Sequence, residues 1–365
     1  MDVISLVGAR PNFVKIAPII AVMSEYPHRF GQKLVHSGQH YDYSMSQVFF
    51  EDLNLPSPDI YLGVGSGTHA EQTGMVLIEF EKVLLREGAD LVLIVGDVNS
   101  TLAGALAAAK LHIPVAHVEA GLRSFDAYMP EEINRLLTDD ISDYLFAPSQ
   151  DACDNLRKEG IAEDKLFLVG NVMVDSLLRS KKKADESGIL SRLSVLKGGY
   201  SVLTLHRPEN VDSKEKLQEI IAAVMEVSRR IDVVFPAHPR TQKKLKEFGL
   251  FDALSKTSHR ILMIDPLGYL DFIKLEMDAK FVITDSGGVQ EETTVFGVPC
   301  LTVRNNTERP VTVSQGTNIL VGEDGRKMVE EAFNILDGGS KKGRCPELWD
   351  GLASQRIVNV LLQHG

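Results

Sequence analysis

Short apolar runs alternate with stretches of helical period from one end of the chain to the other. Val3–Val7, Lys33–Ser37, Leu91–Val95, Val115–Val118 and Tyr144–Ala147 are short and bounded by turn residues, so they predict buried strands. Between them, Val14–Tyr26, Glu71–Arg86 and Thr101–Leu111 predict helices. The last is rich in alanine, as suits a helix packed close against a sheet. A second series follows residue 195, with strands at Ser201–Leu205, Asp232–Phe235, Ile261–Ile264, Phe281–Thr284 and Cys300–Val303. Helices at Lys214–Arg230 and Gly268–Glu276 separate them. Strands buried on both faces and linked by helices form parallel sheets covered on both sides.

The two series are divided by a polar segment that includes Lys181, Lys182 and Lys183, a triplet read as a solvated helix end. The expected class is α/β, with two doubly wound, Rossmann-like domains facing a cleft. The first spans 1–175, the second 195–345, and 176–194 is the linker. No repeat of solenoid spacing is present.

Composition narrows the function more than the fold. A chain of 365 residues is long for one core, which agrees with two domains. The formal net charge of −11 argues against a nucleic-acid partner or an anionic membrane surface, although clustered cations can still hold an anionic ligand. No apolar run is long enough for a transmembrane helix, and Met1–Val3 leads straight into a strand with no room for a signal peptide. Cys153, Cys300 and Cys345 are scattered and odd in number, which suggests a reducing cytoplasm and no disulfide framework. HExxH, EF-hand, Walker and GxSxG patterns are absent, so neither a metal nor a cofactor is called for.

The candidate chemistry follows the strand ends. Phe281–Thr284 runs into Asp285-Ser286-Gly287-Gly288 and then into a helix. A helix N-terminus with glycines holds phosphate well, and Glu292 one turn on could take ribose hydroxyls. Arg10 and Lys15 follow the first strand without a GxGxxG pattern, which speaks against a dinucleotide. Asp97, Glu119 and Glu131 occupy matching positions in the first half. Carboxylates gathered at one sheet edge would raise each other's pKa and exchange protons. Glu132 suits the helix dipole or a pair with Arg135. His206 and His238 each follow a strand of the second half, and Arg304 and Arg309 lie on a charged loop.

Together these residues form an ordered set of motifs: GARPNFVK, GDVNST, HVEAGLRSF, MPEEINR, TLHRPEN, HPRT, TDSGGVQEE and NNTERP. The chain closely resembles the non-hydrolysing UDP-N-acetylglucosamine 2-epimerases from Val3 to Val321. The resemblance implies a glycosyltransferase-B type fold, in which the last helix, about 350–365, packs back on the first domain. It implies that Arg10, His206, Ser286, Gly287 and Gly288 hold the diphosphate, that Glu292 binds the ribose and that Phe272 lies by the uracil. Asp97, Glu119 and Glu131 match catalytic carboxylates, with His206 also counted in the catalytic set. Lys15, Arg135, His238 and Arg309 match other substrate-binding residues. The implied reaction eliminates UDP across carbons 1 and 2 to give 2-acetamidoglucal, then adds it back with carbon 2 inverted. Asp97 or Glu119 would be the base, with Glu131 as partner. A homodimer, a cytoplasmic setting and a role in polysaccharide synthesis are implied too.

The chain departs from many relatives at Ala9 and Asn12, where GTRPE is common, and at Pro208 and Val311. Gln39–Gln47 departs from a stretch that contributes to a regulatory substrate site in bacterial relatives. Alternatives are a 2-epimerase for another UDP sugar, such as a 2,3-diacetamido uronic acid, a hydrolysing epimerase, a UDP-sugar transferase, or a non-catalytic UDP-sugar sensor.

Overall fold

The computed structural model describes residues 1–38, 53, 55–254, 260–322 and 324–364, with the Arg10 and Ala253 side chains outside that description. Gln39–Gln47 and the departure noted there therefore lie outside the described residues. The chain divides into two compact units, Met1–Ser180 with Glu347–Gly365, and Lys181–Pro346.

In chain order the first unit holds β1 (Asp2–Val7), α1 (Arg10–Met23), β2 (Gly31–His36), β3 (Ile60–Tyr61), α2 (His69–Glu87), β4 (Leu91–Val95) and α3 (Asn99–Lys110). There follow β5 (Val115–Val118), α4 (Pro130–Asp140), β6 (Tyr144–Ala147), α5 (Gln150–Lys158), β7 (Leu166–Leu168) and α6 (Val172–Asp185), the last crossing the boundary. The strands are parallel in the order β3-β2-β1-β4-β5-β6-β7. Val3 of β1 pairs with Gln32 on one side and Leu91 on the other, so the winding reverses between β1 and β4. Helices at such a switch point diverge and leave room for a ligand beyond the strand ends. On α3 the buried Ala103, Ala105, Ala107 and Ala108 let the helix lie close to the sheet.

The second unit holds α7 (Ile189–Leu193), β8 (Tyr200–Thr204), α8 (Pro208–Val211), α9 (Lys214–Val227), β9 (Asp232–Pro236), α10 (Pro239–Glu247), α11 (Phe251–Leu254) and β10 (Ile261–Ile264). It continues with α12 (Tyr269–Met277), β11 (Phe281–Thr284), α13 (Gly287–Phe296), β12 (Cys300–Thr302), α14 (Pro310–Ser314), β13 (Asn318–Leu320) and α15 (Gly325–Leu336). Its strand order is β10-β9-β8-β11-β12-β13, again parallel, with the switch point between β8 and β11.

The chain then returns to the first unit as α16 (Ala353–His364), which buries Ile357, Val358 and Leu361 in the same core as Ile16, Ile19 and Met23 of α1. Buried Asp175 takes the first N–H groups of α16, accepting from Ala353 N at 3.1 Å and from Ser354 N at 2.7 Å. No helix among the described residues is long and apolar enough to cross a membrane.

The strands read from apolar runs are present with shifts of a residue or two, whereas β3, β7 and β13, in the brief apolar runs 60–62, 166–169 and 319–321, were not among the expected strands. Each of the three has only two or three residues, and most of these are half-buried. Such strands are held by the neighbour that supplies their ladder bonds.

Candidate active site

In the first unit the loops after β1, β4 and β5 are tied together by buried polar groups. Asn12 Oδ1 accepts from Gly8 N at 3.1 Å and Ala9 N at 3.0 Å, while its amide donates to Val95 O at 2.9 Å. Asn12 thus joins the β1 loop to the end of β4 and is a positioning residue, 2% exposed. Lys15, on the second turn of α1, forms an ion pair with Glu119, and both are buried. Between them lies Gly96 at φ 72°, where a Cβ would stand 2.8 Å from Lys15 Nζ. Glycine is required there by both backbone and space. Glu119 itself has φ 74°, a left-handed conformation that costs a non-glycine residue of order 1 kcal/mol or more.

Asp97 is gripped by Arg135, whose Nε and Nη2 donate to Oδ2 at 3.0 and 2.6 Å. Asn134 donates to the Asp97 carbonyl at 2.8 Å, so one turn of α4 fixes the whole β4 loop. Arg135 also donates to Glu132 at 2.6 Å. Burial opposes the charge on Glu132, but N–H groups of Ser124 and Phe125 together with Arg135 hold its carboxyl below the usual range. Glu131 sits half-buried at the second position of α4, after Pro130. Asp97 meets Arg135 and Glu119 meets Lys15, because the motifs that bring the acids also bring cations.

Beneath these loops lies a network that periodicity did not single out. His117 Nδ1 donates to Asp139 at 2.6 Å, and Nε2 lies 2.8 Å from the Gly96 carbonyl. Asp139 also accepts from Gly121 N at 3.0 Å and pairs with Arg123 at 2.7 Å. Burial would raise the Asp139 pKa, yet His117 and Arg123 hold it below the ordinary value. The network fixes the loops that carry Asp97 and Glu119. A histidine in the middle of the apolar run Val115–Val118 was the available signal.

In the second unit the switch point is organised by Asp285, which is fully buried at the end of β11. Its carboxylate accepts from the backbone N–H of His206 at 3.1 Å and of Arg207 at 3.0 Å, and from Asn210 at 3.1 Å. Despite burial, His206 and these donors keep its pKa lowered. His206 Nδ1 lies 2.9 Å from Asp285 Oδ1, which makes Nε2 the nitrogen that can meet a ligand. Ser286 precedes α13 without capping it through its side chain, so the first N–H groups of the helix are left uncapped by it at the end of β11. At Gly287 a Cβ would lie 2.6 Å from Arg309 Nη1, so a larger residue would displace that guanidinium.

Arg309 donates to Glu291 and to Glu308, each at 2.7 Å, and Arg304 donates to Glu308 at 2.8 Å. The charged loop is therefore cross-linked beside the helix N-terminus. His238 caps α10, its Nδ1 accepting from Arg240 N at 3.2 Å, and its ring centroid is 6.1 Å from that of His206. Phe272 lies half-buried on α12. Glu292 is 6% exposed, and burial pushes its pKa up to about 7. The structure brings His206, Ser286, Gly287 and Gly288 to one strand edge, and Lys15, Asp97 and Glu119 to another.

The family described as UDP-N-acetylglucosamine 2-epimerase matches residues 24–362. The UDP-N-acetylglucosamine 2-epimerase of Methanocaldococcus jannaschii is 49% identical over 98% of this chain and 97% of its own length. A crystal structure of that organism's enzyme in complex with UDP-GlcNAc and UDP superposes with a TM-score of 0.91 at 48% identity, each chain covered in full. The UDP-2,3-diacetamido-2,3-dideoxy-D-glucuronate 2-epimerase of Pseudomonas aeruginosa is 43% identical over 99% of both chains. At the level of fold alone, a lipopolysaccharide outer core galactosyltransferase matches with a TM-score of 0.57 at 12% identity. Two Rossmann-like units of glycosyltransferase-B type, and sequence similarity along almost the whole length, place the chain in the UDP-N-acetylglucosamine 2-epimerase family.

Proposed function

We propose that the protein interconverts UDP-N-acetylglucosamine and UDP-N-acetylmannosamine by eliminating UDP and adding it back. The observation that carries this reading is the division of chemistry between the two sheet edges. The edge of the second unit offers a glycine-opened helix N-terminus beside His206, which suits a diphosphate. The edge of the first offers carboxylates held by cations, which suits proton transfer at a sugar carbon.

The proton on carbon 2 is not adjacent to a carbonyl, so its removal must be coupled to loss of a leaving group. A carboxylate takes that proton, the C–H electron pair becomes the C1–C2 double bond, and the C1–O pair departs with UDP. Return of UDP forms the C1–O bond again while an acid delivers a proton to the opposite face of carbon 2. Asp97 is the base we favour, because its side chain is 23% exposed whereas that of Glu119 is 4% exposed and paired with Lys15. Glu131 is its partner acid, and Glu119 with Lys15 steadies the charge that develops at carbon 1. On UDP, Arg10, His206, Ser286, Gly287 and Gly288 hold the diphosphate, Glu292 the ribose and Phe272 the uracil. Arg135, His238 and Arg309 position these groups.

The reaction needs no cofactor. Homodimerisation in a cytoplasmic setting completes the reading, and exposed Met75, Ile78, Ile133 and Leu137 supply apolar surface for a second copy. A second reading, epimerisation of a UDP-2,3-diacetamido uronic acid, is favoured by the 43% identity to the Pseudomonas aeruginosa enzyme. Turnover of the two UDP sugars side by side separates the readings. Preference for UDP-N-acetylglucosamine supports the first, and turnover of the uronic acid alone overturns it.

A further inference from the structure

One buried carboxyl has no place in the reaction just described. Glu276, near the end of α12, is 0% exposed, and among the described residues no donor reaches either of its oxygens. The group it touches is another carboxyl, that of Glu292 on α13. Around the two stand the Tyr269 phenol, which feels both, the Cys300 thiol beside Glu276, and Glu291 beside Glu292. No cation among these neighbours offsets the pair. Two carboxyls in contact in a dry site are compatible only when a proton lies between them.

We propose that Glu276 is a positioning residue of the nucleotide subsite: as a neutral carboxylic acid it donates to Glu292 and holds that side chain as an oriented anionic acceptor for the ribose hydroxyls. This rests on the reading of Glu292 as the ribose ligand. The assignment of the proton follows from depth. Glu276 is wholly enclosed, whereas Glu292 retains some exposure, so the charge is less costly on Glu292. Burial accordingly raises the Glu276 pKa well above the ordinary value, while its hydrogen bond to Glu292 offsets part of the rise there.

Above about pH 7 the pair then holds one proton, and a second enters as the pH falls through that value. Ribose recognition is lost with that second proton. An apolar residue at 276 removes the donor, so Glu292 takes up a proton at higher pH. A glutamine there keeps an N–H donor and leaves the behaviour close to the original.

The test is calorimetric affinity for UDP and for 2′-deoxy-UDP across a pH series, in the full chain and in Glu276→Gln, Glu276→Leu and Glu292→Ala. The ratio of the two affinities cancels the titration of the nucleotide's own terminal phosphate. In the wild type and Glu276→Gln the preference for UDP falls on acidification with a midpoint near neutrality. In Glu276→Leu the midpoint moves up by about one unit, which is roughly tenfold in preference at a pH below both midpoints. An unchanged profile in Glu276→Leu overturns the role of Glu276. An undiminished preference in Glu292→Ala instead overturns the ribose reading, so the two failures are distinguishable. Should Glu276→Leu not fold, infrared spectroscopy decides on the other proteins. A carboxylic-acid band that persists above neutrality and disappears in Glu276→Gln supports the proposal, and its absence from the wild type overturns it.

Discussion

At the residue scale, two of the candidate acids each meet a cation, Asp97 with Arg135 and Glu119 with Lys15. Asp97→Asn keeps the size of the side chain and a hydrogen bond to Arg135 but removes the carboxylate proposed as the base. The expected outcome is a fall in kcat of about 10²–10⁴ with UDP affinity unchanged, read by steady-state kinetics beside calorimetry. Gly96→Ala acts on the same edge by a different route. A methyl group there meets Lys15 Nζ and demands a left-handed backbone from alanine, so turnover falls while the UDP affinity of the second unit remains. Loss of UDP affinity in that variant would contradict the division of labour between the edges. Motifs made Asp97, Glu119 and His206 legible in the sequence, because these residues directly follow apolar strands. Asp285 and His117 were harder to see. Their work is to hold loops from below, and burial of that kind follows from tertiary contacts that periodicity does not report.

At the scale of elements, the parallel α/β class was legible because apolar strands and helical periods alternate so regularly. The short edge strands β3 and β13 were not legible, since their apolar runs, 60–62 and 319–321, are only three residues long. Two elements yield sharp expectations. Ile357 of α16 is fully buried in the core it shares with α1, so Ile357→Ala should cost the first unit about 2–5 kcal/mol in denaturant unfolding. The α4 helix carries Asp139, whose carboxylate is ion-paired to Arg123 and His117. Its folded pKa lies below the unfolded value, so the stabilisation it gives is present above about pH 4 and is lost as the pH falls through the lower folded value. Asp139→Asn should cost about 3–5 kcal/mol at neutral pH, because Arg123 loses its fully buried counter-charge and His117 Nδ1 its carboxylate acceptor. The difference from wild type should shrink on acidification in thermal melts; a constant difference down to low pH would contradict the ion-pair account.

At the scale of the whole molecule, a chain of net charge −11 handles an anionic nucleotide sugar by concentrating cations and N–H groups at strand edges. Each unit repeats the same doubly wound plan, and Asp97 and His206 follow strands that flank the points where the winding reverses. The sequence motifs follow that plan in order, which is why the fold class and family could be read before any side-chain geometry was known. The reaction itself is tested most directly by proton NMR of UDP-N-acetylglucosamine with the protein in heavy water. Elimination and re-addition require UDP-N-acetylmannosamine to appear with deuterium at carbon 2. Free UDP with N-acetylmannosamine, or a manno product that keeps its original hydrogen at carbon 2, would contradict the account.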